Sequence, residues 1–420
     1  MFRDIGSFQR GLRDFAPRPY FTRMTKHSLV SWAPLLVGAA VLAGPTVVAA
    51  QSTQPVPRSA AASAPRAADT VHAISPARRP LPPETQTAGT TRFSFIAYGD
   101  TRGRRDGVAE QYEHGLVVES MLRTIAQRDS TPSPIRFVLQ SGDAVVNGRD
   151  PAQWNVSFVG LINRITTQGG IPYFLAPGNH DVTSSGDLAS PGRAEGLQNY
   201  LRAMQRLIPP DGATRRLAGY PSYAFGYGNT FILAFDSNIA EDSTQHAWVA
   251  QQLAGLDRAR YPHVIAFFHH PPLSSGPHGG PIVERPTAAV REKYMPLFRE
   301  HGVRLLLTGH EHLFEHFVER YRDSAGTWRR MDQIVSGGGG APLYTYTGEP
   351  DLALYRRRSQ GDSVRVSHLV KPGMQAGDNP YHYLVVNVDG DNIDIEVIGV
   401  DWGRDFQPYR SNRAGIGDKR

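Results

Sequence analysis

The 420-residue chain contains no cysteine. That absence excludes a disulfide framework, a thiolate zinc site, an iron–sulfur cluster and a cysteine nucleophile, so any resident metal must use nitrogen and oxygen donors. An excess of one charge is also missing where it would matter. The formal charge is +6, but residues 1–90 hold ten basic and four acidic side chains, and residues 91–420 hold 35 of each. The body of the chain is neutral and lacks the electrostatic footprint of polyanion binding, so no nucleic-acid partner is expected. No apolar run reaches the roughly 20 residues of a spanning helix, and no repeat of fixed period appears. The glycines at 337–340 are not followed by Lys-Ser/Thr or a helical pattern, so they are not a P-loop; a close backbone approach suits them better. What remains is ordinary globular composition, 40% hydrophobic and 20% charged, enough for one large core or two smaller ones.

The front of the chain reads as an address. After Met24, Lys26 supplies a positive start, an apolar run containing Pro34 extends to about Gly44, and Val48, Ala49 and Ala50 suit cleavage before Gln51. This resembles a secretory signal peptide, implying export to the periplasm or the medium, with anchoring by an uncleaved segment as the alternative. Residues 1–23 show nothing periodic, so translation is expected to start at Met24, with 1–50 as leader. Residues 51–90 are dominated by Ala, Pro, Ser, Thr and Arg and are expected to be a disordered spacer. One domain is expected over 91–408, followed by a flexible tail at 409–420.

Within that domain, buried strands are expected at Phe93 to Tyr98, Ile135 to Gln140, Ile171 to Ala176, Thr230 to Phe235, His263 to Phe268 and Val303 to Thr308. Helical spacing covers Val108 to Arg128, Arg193 to Leu207, Ser243 to Leu256 and Thr287 to His301. This alternation implies an α/β architecture with parallel pairing and right-handed crossovers. Strands at Gln333 to Ser336, Tyr381 to Val388 and Asn392 to Ile398 could complete a second sheet.

The strand ends carry the chemistry. Tyr98 is followed by Gly99-Asp100-Thr101-Arg102, Gln140 by Ser141-Gly142-Asp143, and Ala176 by Pro177-Gly178-Asn179-His180-Asp181; Phe268 is followed by His269-His270, and Thr308 by Gly309-His310-Glu311-His312. Carboxyl ends of strands in an open α/β sheet share one rim, so these groups can converge on one crevice. Imidazole, carboxylate and amide donors suit zinc, iron or manganese.

The series GDTR, SGD, GNHD, FFHHPP and GHEH, in this order over residues 93 to about 317, resembles the calcineurin-like metallophosphoesterase superfamily, in its purple-acid-phosphatase-like branch. The resemblance implies a four-layer αββα sandwich of two mixed sheets, with a dinuclear metal site at the strand ends. It implies that Asp100 and His312 bind the first ion, that Asp143 bridges, and that Asn179, His269 and His310 bind the second. His180 would contact the phosphoryl group or leaving oxygen, with Asp181 orienting its ring. The implied activity is phosphate monoester hydrolysis on a small-molecule substrate, by in-line attack of a metal-bound hydroxide between two ions about 3.5–4 Å apart. Phosphodiester hydrolysis is the alternative on the same site; hydrolysis of a non-phosphate ester and a non-catalytic binding protein are further alternatives.

Two departures from the family concern the first ion. Many members carry Asp-x-His where this chain has Arg102. The tyrosine that purple acid phosphatases place three residues after the bridging aspartate is Val146 here, so no purple colour is expected. Arg102 is expected to clamp a phosphate oxygen, with a salt bridge to a nearby carboxylate as the alternative; His114, on the first helix, is a candidate for the missing ligand. His270 is expected to be packed, His278 could reach a substrate, Glu311 should point outward, and His316 should lie outside the ligand set. Tyr344, Tyr346 and Tyr355 could wall a pocket or simply pack.

Overall fold

The computed structural model describes residues 70–182, 189–279, 283–348, 352–358 and 363–400. The leader, the cleavage site and the tail lie outside them. In the first sheet, β1 (Arg92–Tyr98), β2 (Ile135–Gln140) and β3 (Tyr173–Leu175) run parallel. The second sheet contains β4 (Tyr223–Tyr227), β5 (Thr230–Ala234), β6 (His263–Phe267), β7 (Leu305–Thr308), β8 (Phe314–Arg322), β9 (Trp328–Ser336) and β10 (Val364–Val370), in the order β10-β8-β9-β7-β6-β5-β4. There β5, β6, β7 and β9 are parallel, while β4 and β8 run against their neighbours. β11 (Tyr381–Asp389) and β12 (Asn392–Val400) add antiparallel beside β1, giving β12-β11-β1-β2-β3. They therefore extend the first sheet, not the second. β11 is apolar and buried through its middle, as suits an interior position between β1 and β12.

Period-two alternation builds the layers. In β5 and β6, Ile232, Ala234, Ile265 and Phe267 join the core between the sheets. Phe231, Leu233, Val264 and Ala266 join a second core beneath α4 (Ser243–Ala254) and α6 (Met295–Glu300), which supply Val249 and Phe298. Across the interface Phe225 of β4 stacks on Phe174 (centroids 4.2 Å apart) and meets the edge of Phe137 (5.5 Å). On the far side of the first sheet lies α1 (Tyr112–Arg128), which buries Val117, Val118, Met121 and Ile125; its Thr124 hydroxyl lies 2.7 Å from the Tyr383 hydroxyl of β11. The result is the expected αββα sandwich.

Several elements were not legible as such. A helical stretch over 153–169 contains α2 (Gly160–Arg164) between π turns; α3 (Pro191–Met204), which follows it, is the helix expected at 193–207. The helix expected at 287–301 is instead α5 (Arg285–Ala289), a π turn and α6. Pro296, in the first turn of α6, has no N–H to continue an α-helical ladder through that point. β8 escaped notice because Glu315, His316 and Glu319 occupy buried positions; their partners are Ser275, Asp332 and Arg299.

Residues 70–90, assigned by composition to the spacer, pack on the domain. Val71 and Ile74 are buried. The Ile74, His72, Ser75 and Arg79 amides donate to Ala203 O, Asn155 Oδ1, Asn163 Oδ1 and Gly170 O. Their order rests on main-chain hydrogen bonds to the body, which a count of apolar side chains does not register.

Candidate metal centre

The loops after β1, β2, β3, β6 and β7 bring Asp100, Asp143, Asn179, His269, His310 and His312 to one rim shared by both sheets. Among the described residues, the non-glycine residues with positive φ are Asp100 (61°), Asp143 (55°) and His310 (70°). All three are expected ligands, and each follows a glycine. Such a conformation is sparsely populated and persists where its surroundings hold it. The closeness is visible at Gly142 (φ 107°), where a Cβ would lie 2.6 Å from His269 Nδ1 and 2.7 Å from the Gly178 backbone. The 337–340 glycines press on the first loop: the Gly339 and Ala341 amides donate to Gly99 O and Asp100 O, each at 2.9 Å.

Proton positions follow from the outer partners of each ring. His269 Nδ1 faces the Ser141 carbonyl at 2.9 Å, so it carries the proton and Nε2 presents a lone pair. His310 Nε2 faces Glu284 Oε2 at 2.9 Å, so Nδ1 presents its lone pair. Those two lone pairs lie 3.1 Å apart. Asn179 Oδ1 stands 2.8 Å from His269 Nε2 and 3.2 Å from His310 Nδ1, and Asp143 Oδ1 is 3.4 Å from His269 Nε2. Four acceptors thus converge with no hydrogen between them, an arrangement that a cation satisfies. Burial, against the attraction of Asp143, lowers the His269 pKa to about 3, which keeps that ring neutral as a ligand must be.

His312 Nδ1 donates to Pro342 O at 2.6 Å and turns Nε2 toward Asp100 Oδ1, 3.6 Å away; Tyr344 stacks on the ring at 4.1 Å. Both Asp100 oxygens accept the His310 amide, at 3.0 and 2.9 Å. Burial, then the charge of Asp143, pushes the Asp100 pKa up. Burial alone would raise Asp143 as well, but His269, His180 and Arg102 hold it below the ordinary carboxylate range. Arg102 donates from Nε to Asp143 Oδ2 at 3.0 Å, and its Nη2 lies 3.3 Å from His312 Nε2. It is a paired group here, the salt-bridge alternative.

Three further expectations are corrected. His114 does not reach the centre: its Nε2 bonds the Tyr98 hydroxyl at 3.1 Å, and the ring packs near Phe158 on the outer side of β1. Asp181 does not orient His180. Its carboxylate accepts the amides of Ala144, Val145 and Gly178, tying the loop after β2 to the loop after β3. His180 is held by its own Nδ1 on Val146 O at 2.6 Å, with Nε2 4.0 Å from Asp143 Oδ2. Glu311 points inward: it is fully buried and accepts the His278 amide at 2.7 Å, and burial raises its pKa to about 7.

The remaining candidates separate cleanly. His270 hydrogen bonds with Ser237, and His316 with Asp332. Tyr355 donates to Glu319, and Tyr346 lies beneath the Lys371 ammonium. His278 reaches the rim, bonding Glu284 Oε1 at 2.8 Å and placing its ring 4.5 Å from that of His310. Glu284 itself, the carboxylate behind His310, belongs to no motif and gave no signal in the sequence.

Nitrogen and oxygen ligands on the carboxyl rim of a two-sheet αββα sandwich define a phosphoesterase-type metal centre. The chain belongs to the calcineurin-like phosphoesterase family, whose model matches residues 93–314. It is similar to the serine/threonine-protein phosphatase CPPED1 of Bos taurus, at 26% identity over 51% of this chain and 62% of that protein. It is also similar to the probable purple acid phosphatase 20 of Arabidopsis thaliana, at 24% identity over 54% of this chain and 51% of the relative. The chain thus spans between half and two thirds of the length of these curated relatives. The purple acid phosphatase PPD1 from yellow lupin (Lupinus luteus) seeds shares the fold, with TM-score 0.55 and 18% identity over 77% of this chain and 55% of that one. The family and this fold imply a site for two metal ions.

Proposed function

We propose that the protein hydrolyses phosphate monoesters of small molecules, as an exported enzyme. The observation that carries the reading is the set of four facing lone pairs on Asp143, Asn179, His269 and His310. A cation held there supplies Lewis-acid chemistry, neutralising phosphoryl oxygens and acidifying water. The protein's own groups do the rest. Asp181 locks two ligand loops together through three backbone amides. Glu284 and the Ser141 carbonyl fix the tautomers of His310 and His269. His180, tethered at Nδ1, aims Nε2 toward the centre; its imidazolium form can donate from that atom to a leaving oxygen. Arg102 commits two of its five N–H donors to Asp143 and His312, leaving three for a phosphoryl oxygen.

Export rests on the signal-like stretch after Met24 and is tested by fractionating cells that express the full chain and sequencing the amino terminus of the product. The activity is tested with p-nitrophenyl phosphate and bis-p-nitrophenyl phosphate side by side, on protein loaded in turn with zinc, manganese and iron. Faster turnover of the monoester is expected. Preference for the diester would reassign the enzyme to that substrate class, and absence of turnover on either with every metal would end the phosphoesterase reading.

A further inference from the structure

We infer that the centre holds one metal ion, and that the Arg102 guanidinium is a built-in cation occupying the position of the second. The inference deepens the phosphoesterase reading of the same site and rests on it.

The two halves of the centre differ in where their protons lie. In the half made by Asn179, His269, His310 and Asp143 Oδ1, the ring protons are spent outward on Ser141 and Glu284. The inward atoms of Asn179, His269 and His310 face one another at 2.8–3.2 Å with nothing to share, and Asp143 Oδ1, 3.4 Å from His269 Nε2, takes only the His180 amide at 3.0 Å. In the half made by Asp100, His312 and Asp143 Oδ2, the inward lone pairs are already answered. Arg102 serves Asp143 Oδ2 through Nε and His312 Nε2 through Nη2. Both ends of that pair are shielded, at 17% and 1% side-chain exposure. The guanidinium cannot give up its proton to become a ligand. A second ion would have to displace it and then remain beside its charge.

Among the described residues, no other side chain is seen to answer for the missing donor. His114, the candidate for a third donor, is turned onto Tyr98, and Tyr344 lies flat on His312 without offering it a new donor. Charge counting agrees. Asp100 and Asp143 contribute two negative charges and Arg102 one positive, so a single divalent ion leaves these three groups at net +1, ready for an anionic ester, whereas two would leave them at +3, which the Glu284 carboxylate on His310 offsets only in part. The arginine thus supplies the positive charge of the missing ion, and a planar fork for phosphoryl oxygens, while water acidification falls to the single ion.

The test counts ions on the full chain, independently of turnover. Elemental analysis of protein isolated from zinc-, manganese- and iron-supplemented cells should give one tightly held ion per chain. Cobalt(II) titration of metal-depleted protein, followed by visible absorption, should break at one equivalent. Arg102→His, which sets an imidazole beside Asp100, Asp143 and His312, should move the break to two equivalents. Arg102→Gln, which removes the charge without adding a strong ligand, should bind the second equivalent at least tenfold more tightly than wild type does. Two tightly held ions in the wild type would overturn the inference and leave the phosphoesterase reading standing. So would an unchanged cobalt stoichiometry and affinity in both variants when circular dichroism shows them folded. A wild type that holds no ion would instead overturn the phosphoesterase reading itself.

Discussion

At the scale of single residues, the centre is built from conformations that most side chains avoid. Asp100, Asp143 and His310 all sit at positive φ, each at a cost of about 1–3 kcal/mol that the surrounding loops must offset. Aspartate and histidine tolerate that region better than bulky residues, and the preceding glycines let the chain reach it. This is why these three candidate ligands, with Asn179 after Gly178, were legible: glycine followed by a ligand type, just past a buried strand, is a local pattern. What was not legible depends on contacts distant in sequence. Glu284 reaches His310 across a loop, and Asp181 serves amides some 36 positions away rather than the histidine beside it. His180 is the group whose removal separates chemistry from metal binding. His180→Ala should lower kcat by about 10²–10⁴-fold with bound metal unchanged. Steady-state kinetics with elemental analysis checks this, and loss of the ion in that variant would place His180 in the metal-holding set.

At the scale of elements, most of the apolar strands were readable, and β2 spans the very residues expected of it, whereas β4 and the alternating β10 were not among those expected. Strands that bury ion pairs, such as β8, were not, because their inward positions look polar. The same blindness hid the strap at 70–90. Its anchor is Glu84, which accepts the Gly226 amide at 2.9 Å and the Tyr261 hydroxyl at 2.8 Å, and pairs with Arg215 at 3.4 Å. It thereby covers part of the exposed edge of β4, a position that an unguarded strand leaves open to pairing with another chain. Burial raises the Glu84 pKa, but Tyr261, Arg215 and the Gly226 amide outweigh it and hold the carboxyl below its usual value. A depressed folded pKa means stability that is present above the unfolded value, about 4.3, and is lost as pH falls through the folded one. Glu84→Gln should therefore cost about 1 kcal/mol at pH 7, and the gap to wild type should shrink below pH 4. Thermal unfolding of both proteins across pH 3–7 measures it; a pH-independent gap would mean that the charge is not what holds the strap.

At the scale of the whole molecule, the core between the sheets was foreseeable as apolar content but not as a set of partners, since pairing across sheets leaves no local trace. Phe225 lies at its centre between Phe174 and Phe137. Phe225→Ala should destabilise the protein by about 3–5 kcal/mol, read from urea denaturation of the metal-loaded protein. A cost under about 1 kcal/mol would mean that the interface collapses readily around the missing ring.

The groups proposed to hold the ion divide between the two sheets: Asp143 and Asn179 follow β2 and β3, whereas His269 and His310 follow β6 and β7. Successive residues along a strand are about 3.3 Å apart, wider than any coordination sphere forgives. The aromatic rings buried between the sheets therefore act as the spacer that sets the gauge of the centre, and repacking them, far from any substrate, would retune how firmly the ion is gripped.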